Sequence, residues 1–200
     1  MARLRLGILI SGRGSNLQAL IDACAAPSFP ATVALVISNK AEAAGLDRAR
    51  AAAIPSQVIS HREPDFEAAI DAALRGAGVE LVCLAGFMRI LGADFVNGWR
   101  DRLINIHPSL LPAFPGLGTH RRVLAAGEAV AGCTVHFVRP EIDAGPIILR
   151  ETVPVLPGDT ETSLAARVLA AEHRLYPAAV RQVAKMLAKD GGSAISLRRN

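Results

Sequence analysis

Aromatic side chains are scarce in this chain, at 4% of 200 residues. Its core must therefore be mostly Ala, Val, Leu and Ile. Cysteine is scarce too, and Cys24, Cys83 and Cys133 stand far apart with no C-x-x-C spacing. That spacing argues against a structural zinc site or a disulfide framework and suits buried thiols in a reducing compartment. Neither charge sign dominates: 22 Lys and Arg against 18 Asp and Glu leave +4. Nucleic-acid binding calls for a basic stripe with interleaved aromatics. Arg121-Arg122 and the terminal "SLRRN" fall short of one. A small phosphate-bearing substrate suits the balance, and so does no particular partner. Long apolar runs are missing as well. "MARLRLGILISGRG" sets two arginines before a run too short for a membrane span, and "SGRG" is no cleavage site. The expectation is a cytoplasmic protein that binds neither nucleic acid nor membrane.

The remaining composition is that of an ordinary globular domain, 51% hydrophobic and 20% charged. "LRLGILI" (4–10), "TVALVIS" (32–38), "SQVIS" (56–60), "VELVCLAG" (79–86) and "RLINI" (102–106) read as strands. Helical stretches at 15–26, 41–52, 63–78 and around 91–99 alternate with them, the third with a Pro in its first turn. Strands apolar throughout, joined by helix-length crossovers, predict an α/β fold: a doubly wound, Rossmann-like open sheet, covered on both faces. After residue 106 the alternation breaks. "GTHRRVLAAGE" reads as a short helix, and strands at 131–138 and 145–155 are joined by a loop too short for a crossover helix. The sheet is thus expected to be mostly parallel with a late antiparallel pair. A long helix over 159–188, capped by Asp159 or Thr160, should be kinked or interrupted at Pro177. One domain over 1–188 and a polar tail at 189–200 complete the expectation.

Four places carry chemistry. "SGRGSN" (11–16) lies between the first strand and the first helix. Two glycines and a helix N-terminus there make an anion cradle, or only a tight turn. "LINIHPSLLPAFPG" (103–116) brings Asn105 and His107 to a strand end and then stiffens the chain with prolines. Ligands of open α/β sheets bind beyond such ends. An amide donor and an imidazole at i, i+2 suit acyl chemistry, one holding an oxyanion while the other moves a proton. The alternative is a loop-filling His and a turn-closing Asn. In "EIDAGPI" (141–147), Asp143 is either an Asx-turn residue or, if its loop folds over His107, the carboxylate that favours the imidazolium. "AGFMRIL" (85–91) either lines an apolar slot for a flat ring or packs helix to sheet. Of the other histidines, His136 reads as a satisfied strand residue and His61 as surface. His120 follows the proline loop, and His173 adjoins Glu172.

Together "SGRGSNLQ", "LAGFMRIL", "INIHPSLLPAFPG", "TVHFV…EIDAGPII" and "AEHRLYP" resemble the glycinamide ribonucleotide formyltransferase family, in order and spacing, from about residue 5 to 180. The motif at Asn105 and His107 is shared across enzymes that use 10-formyltetrahydrofolate, so it marks the superfamily rather than the acceptor. The resemblance implies transfer of a formyl group from 10-formyltetrahydrofolate to the amine of glycinamide ribonucleotide, in purine biosynthesis. Asn105, His107 and Asp143 match the catalytic trio. Gly14, Ser15, Asn16 and Glu172 match the ribonucleotide site. Arg62, Met88, Arg89, Ile90 and Leu91, with Asn105 and the loop Arg139, Pro140, Glu141, Ile142 and Asp143, match the folate site. No metal is implied, and monomer and homodimer both remain open.

Three rivals compete with this resemblance. A formyltetrahydrofolate hydrolase carries an N-terminal regulatory domain, for which a strand starting at residue 4 leaves no room. Methionyl-tRNA formyltransferase continues Arg-rich after "SLLP", where "AFPG" stands here, and adds a C-terminal RNA-binding domain. A non-catalytic folate- or nucleotide-binding module has no use for an intact trio.

Overall fold

The computed structural model describes residues 3–196, with side chains to 188. Chain order runs β1 (Leu4–Ile10), α1 (Ser15–Ala25), β2 (Ala31–Ser38), α2 (Gly45–Ala51), β3 (Ser56–Val58), α3 (Phe66–Gly76) and β4 (Leu81–Leu84). It continues with α4 (Ala93–Gly98), β5 (Leu103–His107), α5 (Thr119–Ala125), β6 (Val130–Phe137), β7 (Ile147–Pro154) and α6 (Glu161–Ser196). Seven strands form one sheet in the order β3-β2-β1-β4-β5-β6-β7. β1 to β5 are parallel, and β6 and β7 are antiparallel to their neighbours. This is the expected Rossmann-like architecture with its late antiparallel pair.

Strand alternation explains why the sheet needs cover on both sides. Leu6, Ile8 and Ile10 point into one core, closed by α1 and α6 through Leu17, Leu20, Val168 and Tyr176. Leu9 and Val82 point into the other, closed by α3 and α4 through Ile70, Leu74, Phe95 and Trp99. Each fully buried Leu or Ile contributes about 1.5–3 kcal/mol relative to exposure. The core is mostly aliphatic, as the composition requires. All three thiols are free and buried.

Several local expectations are corrected. α3 begins at Phe66, so Pro64 lies in the turn before the helix rather than within it. α2 is shorter than 41–52, because Lys40–Ala44 forms turns that bring Gly45 against the first loop. α6 runs through Pro177 without a break. Pro177 lacks an N–H for the preceding turn. Buried Leu175 and Tyr176 on one side and Ala179 and Val180 on the other hold both halves to the sheet. Thr160 caps α6: its Oγ1 accepts from the Ser163 N–H at 3.2 Å, and Ser163 Oγ accepts from the Thr160 N–H at 2.9 Å. The backbone of α6 carries on into the stretch read as a tail, of which 197–200 lie outside the described residues.

β1 and β4 are neighbours whose crossovers leave in opposite directions. Their carboxyl ends therefore form the topological switch point of the sheet. Ser11 Oγ, just after β1, accepts from the Met88 N–H after β4 at 2.8 Å and ties the two exit loops together.

Candidate active site

A cleft of about 620 Å³ opens beside this switch point, over the ends of β4 and β5. One wall is the exit of β4, with Met88, Arg89, Ile90 and Leu91. Asn105 and His107 form the floor, and Arg139, Pro140, Ile142 and Asp143 the facing loop. The apolar slot expected of "AGFMRIL" is thus present, with Met88 and Ile90 exposed on its rim. Glu141 and Arg62 do not line the cleft. Arg62 stands exposed in the turn before α3.

Asp143 does reach His107. Its Oδ2 lies 3.4 Å from His107 Nδ1 and also accepts the Gly116 N–H at 2.8 Å. His107 Nε2 donates to the Phe114 carbonyl at 3.1 Å. A ring protonated on both nitrogens can donate to both partners. The Nδ1 approach is longer than a good hydrogen bond, which leaves that donor available to a ligand oxygen or a bridging water. His107 is buried, so its orientation is set by these contacts.

The proline loop is held at several points. Thr134 Oγ1 donates to the Ser109 carbonyl at 2.7 Å and accepts the Leu111 N–H at 3.1 Å. Arg150 donates to the Leu111 carbonyl, and Arg122 donates to the Pro115 carbonyl while lying over the Phe114 ring. These contacts position the carbonyl that His107 uses.

His136 is more than a satisfied strand residue. It pairs with Asn105 in the β5–β6 ladder. Burial pushes its pKa down, against the Phe137 carbonyl and Asp143, which raise it. The neutral ring donates from Nδ1 to the Phe137 carbonyl at 3.0 Å, so Nε2 is left to accept the Asn105 amide at 3.3 Å. With Nε2 unprotonated, its 3.7 Å approach to Asp143 is not an ion pair. His136 thus fixes which end of the Asn105 amide points where. Sequence reading missed it because the only signal is the antiparallel register.

The first loop forms a separate, polar depression. Gly14 has φ 69° before α1, and no side chain caps that helix. The first-turn N–H groups and the helix dipole therefore remain for an anion. A Cβ on Gly14 would sit 2.7 Å from Gly45 Cα, so only glycine permits this packing. Asn16 does not point into the cradle. It is buried and donates to Glu172 Oε2 at 2.7 Å. Burial raises the Glu172 pKa, and the Asn16 bond opposes that rise. Ser15, Gln18, Asp22, Arg48 and His173 line this depression. Arg48 donates to the Arg13 carbonyl at 2.9 Å and steadies the loop. His173 Nε2 is buried without a partner, and burial followed by the Arg48 charge lowers its pKa. Arg48 carries no signal in the sequence, since it comes from a distant helix; His173, noted there only as the neighbour of Glu172, meets it here. His120 lies close enough to His107 for their charges to interact, but it does not line the cleft.

Among the described residues no cluster of His, Cys, Asp or Glu forms a metal site, and no helix is long and apolar enough to cross a membrane.

A family model described as formyl transferase matches residues 4–180. The phosphoribosylglycinamide formyltransferase of Escherichia coli (strain K12) is 48% identical over 178 residues, covering 87% of this chain and 84% of that protein. A crystal structure of phosphoribosylglycinamide formyltransferase from Brucella melitensis aligns with a TM-score of 0.87 at 53% identity, covering 91% of this chain and 96% of that one. The human trifunctional purine biosynthetic protein adenosine-3 is 52% identical over 186 residues. The match takes in 91% of this chain but only 18% of that much longer protein. The chain belongs to the formyl transferase family, a family of enzymes, and carries a strand-end Asn and His beneath an aspartate-bearing loop. Within that family it falls among the phosphoribosylglycinamide formyltransferases.

Proposed function

We propose that this enzyme moves the formyl group of 10-formyltetrahydrofolate to the amine of N1-(5-phosphoribosyl)glycinamide, in the cytoplasm, as a step of purine biosynthesis. The carrying observation is the Asn105–His107–Asp143 arrangement at the floor of an apolar cleft. That cleft suits a flat heteroaromatic ring against Met88, Ile90 and Leu91, with its reactive end over Asn105. The polar depression at Gly14 and Ser15 suits the phosphate, with Arg48 and His173 beside it. Glu172, whose Oε2 accepts from Asn16, is the carboxylate that the family resemblance assigns to the ribonucleotide.

In the transfer, the amine nitrogen bonds to the formyl carbon and the bond from that carbon to the folate nitrogen breaks. Negative charge grows meanwhile on the formyl oxygen. The Asn105 amide and the His107 Nδ1–H donate to that oxygen, each such donor being worth about 3–4 kcal/mol. Asp143 holds the His107 ring in place and orients a water that carries the amine proton to the departing folate nitrogen. Neither residue needs a metal for this role.

The test is turnover with and without the ribonucleotide. We expect formyl transfer that depends on it, and a loss of roughly 10²–10³ in kcat for Asn105→Ala. Formyl release at the same rate without the nucleotide would replace this reading with a hydrolase.

A further inference from the structure

Asp101 and Arg139 meet across the rim of the cleft. Asp101 lies in the turn from α4 to β5, and Arg139 opens the loop from β6 to β7. Arg139 donates to Asp101 Oδ1 at 2.5 Å and to its neighbour's carbonyl, that of Val138, at 2.9 Å. Its side chain is only 14% exposed although it lines the cleft. Asp101 sits at φ 59°, a backbone region that glycine enters at much less cost. Where this φ favours glycine, the chain instead carries a carboxylate, and that carboxylate holds the cleft arginine.

We propose that the Asp101–Arg139 pair is a positioning device for the loop that carries Asp143, and that Arg139 acts through Asp101 rather than as a cation for the ligand. This deepens the proposed function and rests on it. The loop has little else to hold it. Within 139–144 the one backbone hydrogen bond among the described residues joins the Ala144 N–H to the Glu141 carbonyl at 3.5 Å. Asp143 itself has φ 54° and leans on the Gly116 N–H. The far end of the loop is fixed by backbone: the Phe137 N–H donates to the Pro146 carbonyl at 2.9 Å. A Cβ on Gly145 would overlap the Phe137 carbonyl oxygen at 1.7 Å. At the near end, the Val138 N–H is fixed to the Leu103 carbonyl at 2.9 Å, and beyond it the Arg139 guanidinium is the remaining anchor.

Asp101 is 61% exposed, so the pair adds little to global stability. Its effect falls on the loop, whose few contacts make it easily displaced. This gives a pattern that a merely structural role does not produce. Asp101→Gly removes the carboxylate and relieves the backbone. The expected result is an unchanged or higher thermal midpoint and a KM for 10-formyltetrahydrofolate raised roughly three- to tenfold, with the KM for the ribonucleotide unmoved. Asp101→Asn, which keeps the Cβ, should raise the same KM and guards against a folding defect. In a double-mutant cycle, Arg139→Gln should raise it to a similar degree alone and add nothing in the Asp101→Gly background. Unchanged kinetics in both Asp101 variants would overturn the proposal. So would an Arg139→Gln effect that persists in full on Asp101→Gly, since that makes Arg139 a direct ligand contact. A wild-type enzyme that fails to formylate the ribonucleotide would instead overturn the proposed function, before any variant is compared.

Discussion

His136 shows how one side chain's charge state decides another's role. Kept neutral by burial, it must donate from Nδ1 and accept at Nε2, and that acceptance orients Asn105. Protonated, it would turn a donor toward the Asn105 amide and lose the match. Glu172 is the complementary case, an acid whose burial holds its pKa above the ordinary 4.5. Between those two values the folded chain keeps a proton that the unfolded chain has lost, so stability falls as pH rises through that window. Glu172→Gln removes the buried charge and still accepts from Asn16. We expect the variant to unfold at higher urea than wild type above the window, with the gap closing below it, and to show a raised KM for the ribonucleotide. Urea midpoints measured from about pH 4 to 8 check the sign. A wild type more stable than the variant across that range would show that burial does not penalise the carboxylate. Asn105 and His107 stood out in the sequence by their place at a strand end, Asp143 by its turn, and Glu172 only through the family resemblance. The company they keep did not: the Asn16 side chain donates to Glu172, and Arg62 stands away from the cleft.

The glycine turn before α1 was readable from its two glycines and its place after the first strand. Its close approach to α2 was not. Gly14→Ala meets both the left-handed φ and the Gly45 backbone. The expected cost is about 1–3 kcal/mol of stability, from strain at that φ. Ribonucleotide affinity should fall further than stability, because the loop that presents the N–H groups must move. Chemical denaturation beside a ribonucleotide titration separates the two, and a variant with native affinity would show that the cradle tolerates displacement. The helices illustrate the same division between pattern and packing. Apolar periodicity located α1, α3 and α6, but α6 ignores Pro177 because two buried stretches pack on either side of it. Propensity is local and weak, and tertiary burial overrides it.

Across the whole molecule, two mostly aliphatic cores enclose one sheet and bury every thiol. Burial pushes the Cys24 pKa up to about 11 and the Cys133 pKa up to about 12, and raises that of fully buried Cys83 further. The thiolate is the reactive form. All three cysteines should therefore resist a small alkylating reagent in the native state and label together in denaturant. Mass spectrometry after a timed exposure reads this directly, and rapid labelling of the folded enzyme at any one site would contradict it.

The amino-acid sequence alone determined the alternation of strands and helices, the antiparallel ending and the placing of Asn105 and His107 at a strand end. Hydrophobic period, glycine and proline placement, and side-chain chemistry are local properties of the chain. The tertiary structure decided which of those residues meet. It set His136 against Asn105 by strand register, Asp143 against His107 by the fold of one loop, and Arg139 against Asp101 across the rim. Those contacts join positions far apart in the chain, and only the packing of the sheet fixes the distances between them.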